Sequence, residues 1–291
     1  MEPADIAVIG GSGFYRLLDD ATAVEVETPF GRPSSPITFG SFAGRPVAFL
    51  ARHGERHHLA PHAINSRANL WALRDLGVTQ VFGPCAAGSL RPEIGPGDLV
   101  VLDQLVDRTW GRPSTFLDGG GASGPLEGPG TPVVEHVGFA DPYCPTLRGA
   151  LISAASGGAA GACPHPCAGW PAGAVHERGT VVVIQGPRFS TRAESNWYAG
   201  AGATVINMTQ YPEAYLAREL GMCYAGVALV TDRDAGAEGG AGAASVTMAA
   251  AMEVLAANVG NLRALLCAAI AGLPVEPACA CRAGGARTLA R

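Results

Sequence analysis

Two carboxylates stand two residues apart at the end of a long apolar run, where CYAGVALVT leads into Asp232, Arg233 and Asp234. Four other apolar runs end in groups that donate hydrogen bonds. IAVI leads into GGSGF with Ser12, VAFLA into Arg52-His53, VTQVF into a small-residue turn at Cys85-Ala86, and TVINM into Thr209. This donor set contains two potentially cationic side chains, and it suits a tetrahedral oxyanion such as phosphate. Asp232 and Asp234 suit a group that must receive a proton, or an exocyclic amine that donates. Two carboxyls so close cannot both ionise cheaply, so one is expected to stay protonated near neutral pH. An anionic nucleophile opposite an acid at the leaving group describes phosphorolysis of a glycosidic bond. The transition state would resemble that of glycoside hydrolysis.

The elements that must position these groups follow from apolar runs and their punctuation. The turn at Ser12 is neither a dinucleotide fingerprint, a Walker loop nor a nucleophile elbow, because the required Gly or Lys residues do not follow at the right spacing. It remains a glycine turn exposing N–H groups and a hydroxyl at a strand end, which can hold an anion. Residues 204–236 predict a strand–helix–strand unit, its helix opened by Pro212 and closed by Gly221. The unbroken apolarity of CYAGVALVT predicts a strand covered on both faces. A crossover of this length predicts parallel strands, so Asn207-Met208-Thr209 and Asp232-Arg233-Asp234 would share one sheet edge, where open α/β sheets bind ligands.

Upstream, alternation and Gly/Pro turns before Arg52 predict antiparallel strands, and Asn65–Leu73 predicts a helix stopped by Gly77. His57 and His58 are expected in a solvated loop. Residues 111–130 predict a long functional or mobile loop. TVVVIQGPRFST predicts a buried strand with a Gly-Pro-Arg turn, and RAESNWYAGAG a helix. Ala243–Ile270 predicts an amphipathic helix whose stripe of Met252, Leu255, Val259, Leu262 and Leu266 serves core or subunit packing. The fold class is α/β: a single domain over residues 1–273, with a mixed, largely parallel central sheet flanked by helices. Residues 274–291 are expected to be a flexible, dispensable tail.

The chain has 291 residues, 48% of them hydrophobic, and a net charge of −5 without a basic stripe, which argues against nucleic acid as the main partner. No apolar run is expected to approach the ~20 residues that span a bilayer, and MEPADIAVIGG lacks the basic region of a signal peptide. No membrane partner is expected, and the location is expected to be cytoplasmic. Of eight cysteines, Cys85, Cys144, Cys223 and Cys267 sit in apolar or strand-like surroundings and are expected to be reduced and buried. CPHPC, with Cys163, His165 and Cys167, lacks a second ligand pair at zinc-finger spacing, so no metal is expected there.

IGGSG, TPFG, ARHG, NLWAL, CAAGSL, GDLVVLDQLVDRT, GPRFSTRAES, INMT, PEAYLARE and TDRDAG occur in this order between Ile6 and about Leu266. In this set the chain resembles the trimeric purine nucleoside phosphorylases, most closely their methylthioadenosine-cleaving branch. The resemblance implies that family's fold, a homotrimer, small-molecule nucleoside and phosphate as partners, and no cofactor, inorganic phosphate being the co-substrate. It implies that Ser12, Arg52, His53, Cys85, Ala86 and Thr209 hold phosphate, that Met208 lies under the ribose and that Ser190 lies near the base. Asp232 would donate a proton at the base's five-membered ring. Asp234 would help bind the six-amino group and keep Asp232 protonated, and His136 would reach a neighbouring subunit's nucleoside. Two positions depart from the family pattern: Cys85 replaces a more usual threonine, and Gln185 a glutamate that often precedes GPRFS. Three alternatives stand beside this one: a nucleosidase using water, a six-oxopurine or methylthioinosine phosphorylase, and a catalytically dead purine-binding scaffold.

Overall fold

The computed structural model describes residues 3–11, 18, 21–117, 134–157, 175–235, 246–274, 277–286 and 289. In chain order these form β1 (Ile6–Gly10), β2 (Thr22–Val24), β3 (Ile37–Phe42), β4 (Arg45–Ala51), α1 (Ser66–Asp75), β5 (Gln80–Ser89), β6 (Leu99–Val101) and β7 (Gln104–Arg108). Then come α2 (Pro145–Ala155), β8 (Val175–His176), β9 (Thr180–Ile184), α3 (Arg192–Gly200), β10 (Val205–Asn207), α4 (Gln210–Glu219), β11 (Cys223–Arg233) and α5 (Met248–Ala271). Helix ends follow local chemistry. Asn65 caps α1 by accepting from the Ala68 N–H. Thr191 and Glu194 form a capping box on α3. Gly221 ends α4 with a φ of +67°, which only glycine adopts easily.

The strands make one mixed sheet ordered β2-β3-β4-β1-β5-β10-β9-β7, with β11 pairing β5 and β6, and β6 pairing β8. β5 is its axis. Its start pairs in parallel with β1, its end pairs antiparallel with β10, and β11 runs parallel along nearly its whole length. β11 alternates strictly: Tyr224, Ala228 and Val230 join a core covered by α1 and α4, while Cys223, Ala225, Val227 and Leu229 join one covered by α2 and α5. Burial on both faces is what its unbroken apolarity predicts.

Four expectations change. β10 and β11 do not run parallel, because β10 is antiparallel and β11 parallel to the strand between them. A parallel pair requires a long crossover, but a long crossover does not require a parallel pair. α5, at 24 residues, is long and apolar enough by composition to cross a membrane; its C-terminal half instead packs into the core against α2 and β11. The segment expected to hang free is docked in its described part. Cys281, Ala286 and Leu289 are buried, and the Ala286 N–H donates to the Glu219 carbonyl at 2.9 Å. Cys267 is disulfide-bonded rather than a free thiol. Ser12, residues 118–133 and CPHPC lie outside the described residues.

Candidate active site

β5 explains why the predicted groups meet although β10 and β11 oppose one another. Gly88 pairs with Ile206 on one side and Asp232 on the other, so the ends of β10 and β11 arrive at the same residue. A Cβ on Gly88 would lie 2.8 Å from Asp232 Oδ1 and 3.2 Å from Asp234 Cβ. The carboxylates therefore rest directly on the β5 backbone. A cavity of about 500 Å³ opens here. Arg52, His53, Cys85, Ala86, Met208, Thr209, Ser190, Asp232 and Asp234 all line it. His136 does not; it is exposed on an irregular stretch before α2.

At one end Arg52, 1% exposed, forms a bidentate pair with the equally buried Glu213 through Nε and Nη2, and its Nη1 donates to the Pro84 carbonyl at 2.9 Å. Tyr224 donates its hydroxyl to Glu213 at 2.8 Å. Burial works against the guanidinium charge, but Glu213 outweighs it and holds Arg52 above its ordinary pKa. Among the described residues, three of its five N–H donors are thus committed and two remain. His53 Nδ1 lies 2.8 Å from the Leu59 carbonyl. A carbonyl only accepts, so Nδ1 carries the proton and Nε2 presents a lone pair. Burial, with Arg52 and the His57 ring stacked at 4.4 Å, pushes His53 down to about 4. His53 is therefore neutral at pH 7 rather than a cation. Burial pushes the Cys85 thiol up to about 11, so it too is neutral. Thr209 occupies the N-cap position of α4 but its hydroxyl makes no capping bond.

At the other end Thr231 donates its hydroxyl to Asp232 Oδ2 at 2.7 Å. Burial raises the Asp232 pKa, Thr231 opposes, and the charge of Asp234 adds to the rise. Asp234 is 3% exposed, accepts the Ser195 hydroxyl, and donates its own N–H to the Ser89 carbonyl at 2.9 Å. Its pKa is also raised, by burial first.

Several lining groups carried weaker sequence signals. Both amide atoms of Asn207 and the Ser190 hydroxyl are buried with no well-formed hydrogen bond among the described residues, and both residues line the cavity. Orphaned polar atoms of this kind call for a ligand or ordered water. Asn207 was visible as a polar residue closing an apolar strand. Met248, Ala251, Met252 and Leu255 form an apolar wall, so the α5 stripe expected only to pack also faces the cavity. His57 and His58, expected in solvent, line its rim. Gln185 lies behind the cavity: its Oε1 accepts from the Trp110 N–H and from Arg112 Nε, each at 3.1 Å. Arg112 in turn donates to the carbonyls of Met208 at 2.8 Å and Gln185 at 2.6 Å. Gln185 thus stands here as a neutral acceptor, and the arginine positions Met208 through backbone contacts.

The family model of the phosphorylase superfamily matches residues 5–271. The chain is 53% identical over 283 residues to a purine nucleoside phosphorylase of Streptomyces coelicolor, covering 97% of this chain and 94% of the relative. It is 53% identical over 275 residues to an S-methyl-5′-thioadenosine phosphorylase of Mycolicibacterium smegmatis, covering 94% and 93%. Among solved structures, methylthioadenosine phosphorylase from Schistosoma mansoni in complex with adenine superposes with a TM-score of 0.80 at 38% identity, over 92% of this chain and 91% of that one. Methylthioadenosine phosphorylase from an antarctic soil metagenomic library gives 0.80 at 39% identity, over 97% and 90%.

Proposed function

The chain belongs to the phosphorylase superfamily, and from that premise we propose that it is a methylthioadenosine phosphorylase, converting 5′-methylthioadenosine and inorganic phosphate to adenine and 5-methylthioribose 1-phosphate. The observation that carries the reading is the pairing, in one cavity, of an end lined by the donors of Arg52 and Thr209 beside neutral His53 with a buried carboxyl pair at Asp232 and Asp234. Relatives at 43–53% identity bear the methylthioadenosine name.

In this reading the free N–H groups of Arg52, the Thr209 hydroxyl, the Ser12 hydroxyl and the backbone N–H of Cys85 or Ala86 hold phosphate. Arg52 and Glu213 neutralise one another and His53 is uncharged, so hydrogen-bond geometry rather than net charge does the holding. A phosphate oxygen forms a bond to C1′ as the C1′–N9 bond breaks. The electron pair goes to the purine, and protonated Asp232 gives its proton to N7. Asp234, fixed by Ser195, raises the Asp232 pKa and accepts from the six-amino group. Met208 underlies the ribose and Ser190 approaches the base. The Met252 and Leu255 wall gives an apolar 5′ substituent a surface that a 5′-hydroxyl would leave unpaired. We extend the proposal to a homotrimer in which His136, exposed and remote from its own cavity, reaches the nucleoside of a neighbouring subunit.

A substrate panel tests the assignment. With saturating phosphate, kcat/KM is expected to fall from 5′-methylthioadenosine to adenosine, and further to methylthioinosine and inosine. Inosine as the preferred substrate would overturn it in favour of a six-oxopurine phosphorylase, the activity nearest to the Streptomyces relative's name.

A further inference from the structure

Away from the cavity, four cysteines from three distant stretches of chain meet at one point. Cys144 caps the N-terminus of α2, Cys223 opens β11, and Cys279 and Cys281 belong to the C-terminal segment. Their four sulfurs all lie within 4.8 Å of one another. Cys279 Sγ is 3.3 Å from Cys223 Sγ and 3.6 Å from Cys144 Sγ. All four are free thiols. Four thiolates around zinc, with Zn–S near ~2.3 Å, form a tetrahedron whose S···S edges are about 3.8 Å. The cluster has that size. We propose that Cys144, Cys223, Cys279 and Cys281 bind one zinc ion as a structural tetrathiolate that fastens the C-terminal segment to the core.

Three observations beyond the distances support this. Cys144, Cys223 and Cys281 are 1%, 5% and 4% exposed and Cys279 is half-buried, so the site is closed and keeps no open position for substrate, as structural zinc sites do. All four ligands are sulfur, a soft set that selects zinc over magnesium or calcium. Binding sends the four thiol protons to solvent and leaves a dianionic centre. Cys144 stands at the N-terminus of the eleven-residue α2, where the helix dipole favours negative charge.

The backbone around the sulfurs is fixed. The Cys144 N–H donates to the Tyr224 carbonyl at 2.7 Å and the Cys223 N–H to the Thr79 carbonyl at 2.8 Å. The C-terminal segment passes so close to the α4–β11 turn that a Cβ on Gly285 would lie 2.7 Å from the Gly221 N and Cα atoms. A metal here cross-links positions 135 residues apart, Cys144 and Cys279, a long closure that constrains the unfolded chain strongly.

The test uses the full chain purified under reducing conditions without chelator. Elemental analysis is expected to find one zinc per chain, and the Cys279→Ser/Cys281→Ser double variant to lose it. Native protein should protect the four thiols from alkylation until a strong chelator is added, and zinc removal should lower Tm reversibly. If the variant does not fold, metal-free wild type titrated with cobalt(II) gives the deciding reading. Thiolate-to-cobalt charge-transfer bands that one equivalent of zinc abolishes would uphold the site. Reduced wild type that keeps four alkylatable thiols in excess zinc, or peptide mapping that finds disulfides joining these four cysteines, would overturn it.

Discussion

Asp232 and Arg52 show how far residue type alone carries the chemistry. The place of Asp232 in the cavity was legible because an acid closing a long, largely apolar run, with a second acid two positions on, has few structural uses. Its raised pKa gives two predictions. A general acid must hold its proton, so turnover should fall as pH rises through the elevated pKa, and Asp232→Asn should lose ~100- to 10,000-fold in kcat on methylthioadenosine while shifting relative preference toward six-oxopurine nucleosides. For stability, the folded chain holds this proton more tightly than the unfolded chain. The contribution is therefore fully present below the unfolded carboxyl value of about 3.9 and is lost as pH rises through the higher folded one. Asp232→Asn should then be at least as stable as wild type above that range, in urea unfolding at several pH values. A variant that is both inactive and destabilised would mean that Asp232 is a structural residue. Arg52 was legible at its strand end, but Glu213 was not. Within PEAYLARE it looks like an ordinary exposed helix acid, and only the fold turns it inward. Removing one partner of a buried pair strands the other, so Glu213→Ala is expected to cost about 3–5 kcal/mol and to raise the KM for phosphate more than that for nucleoside.

Among the elements, strands announced themselves through uninterrupted apolar runs, and the glycine stops at Gly77 and Gly221 placed the ends of α1 and α4 closely. The direction of β10 was not legible. Three residues of strand carry no signal about which neighbour they pair with, and that pairing is set by the space β5 leaves where β1 ends. The double role of α5 was hidden for a related reason: helical spacing shows an apolar face but not what stands opposite it. The close rest of Asp232 on β5 makes Gly88 a sensitive position for the candidate site. Gly88→Ala would place a methyl within 2.8 Å of Asp232 Oδ1. It should lower kcat at least as much as it lowers Tm, because the acid can move away from the base more easily than the two strands can separate. A fall in Tm with unchanged kcat would show that the carboxylate does not need this geometry.

At the scale of the molecule, the C-terminal segment is where composition misled. Ala, Gly, Arg and Cys without apolar period suggest a loose tail, yet Cys281, Ala286 and Leu289 are buried and Arg74 donates to the Leu289 carbonyl at 3.4 Å. Small residues allow close backbone packing that no periodicity announces. Exposing even one such leucine costs about 1.5–3 kcal/mol, so truncation before residue 274 should lower Tm by several degrees or more, by calorimetry. The proposed trimer should appear in sedimentation at micromolar concentration, and a fully active monomer would exclude composite sites. What unites residues, strands and cavity is a single claim: phosphate, not water, attacks the nucleoside. Adenine release from 5′-methylthioadenosine, measured with and without inorganic phosphate, tests it directly. The account predicts release that depends on phosphate and yields one 5-methylthioribose 1-phosphate for each adenine. Equal release in phosphate-free buffer, with free 5-methylthioribose as the product, would contradict it.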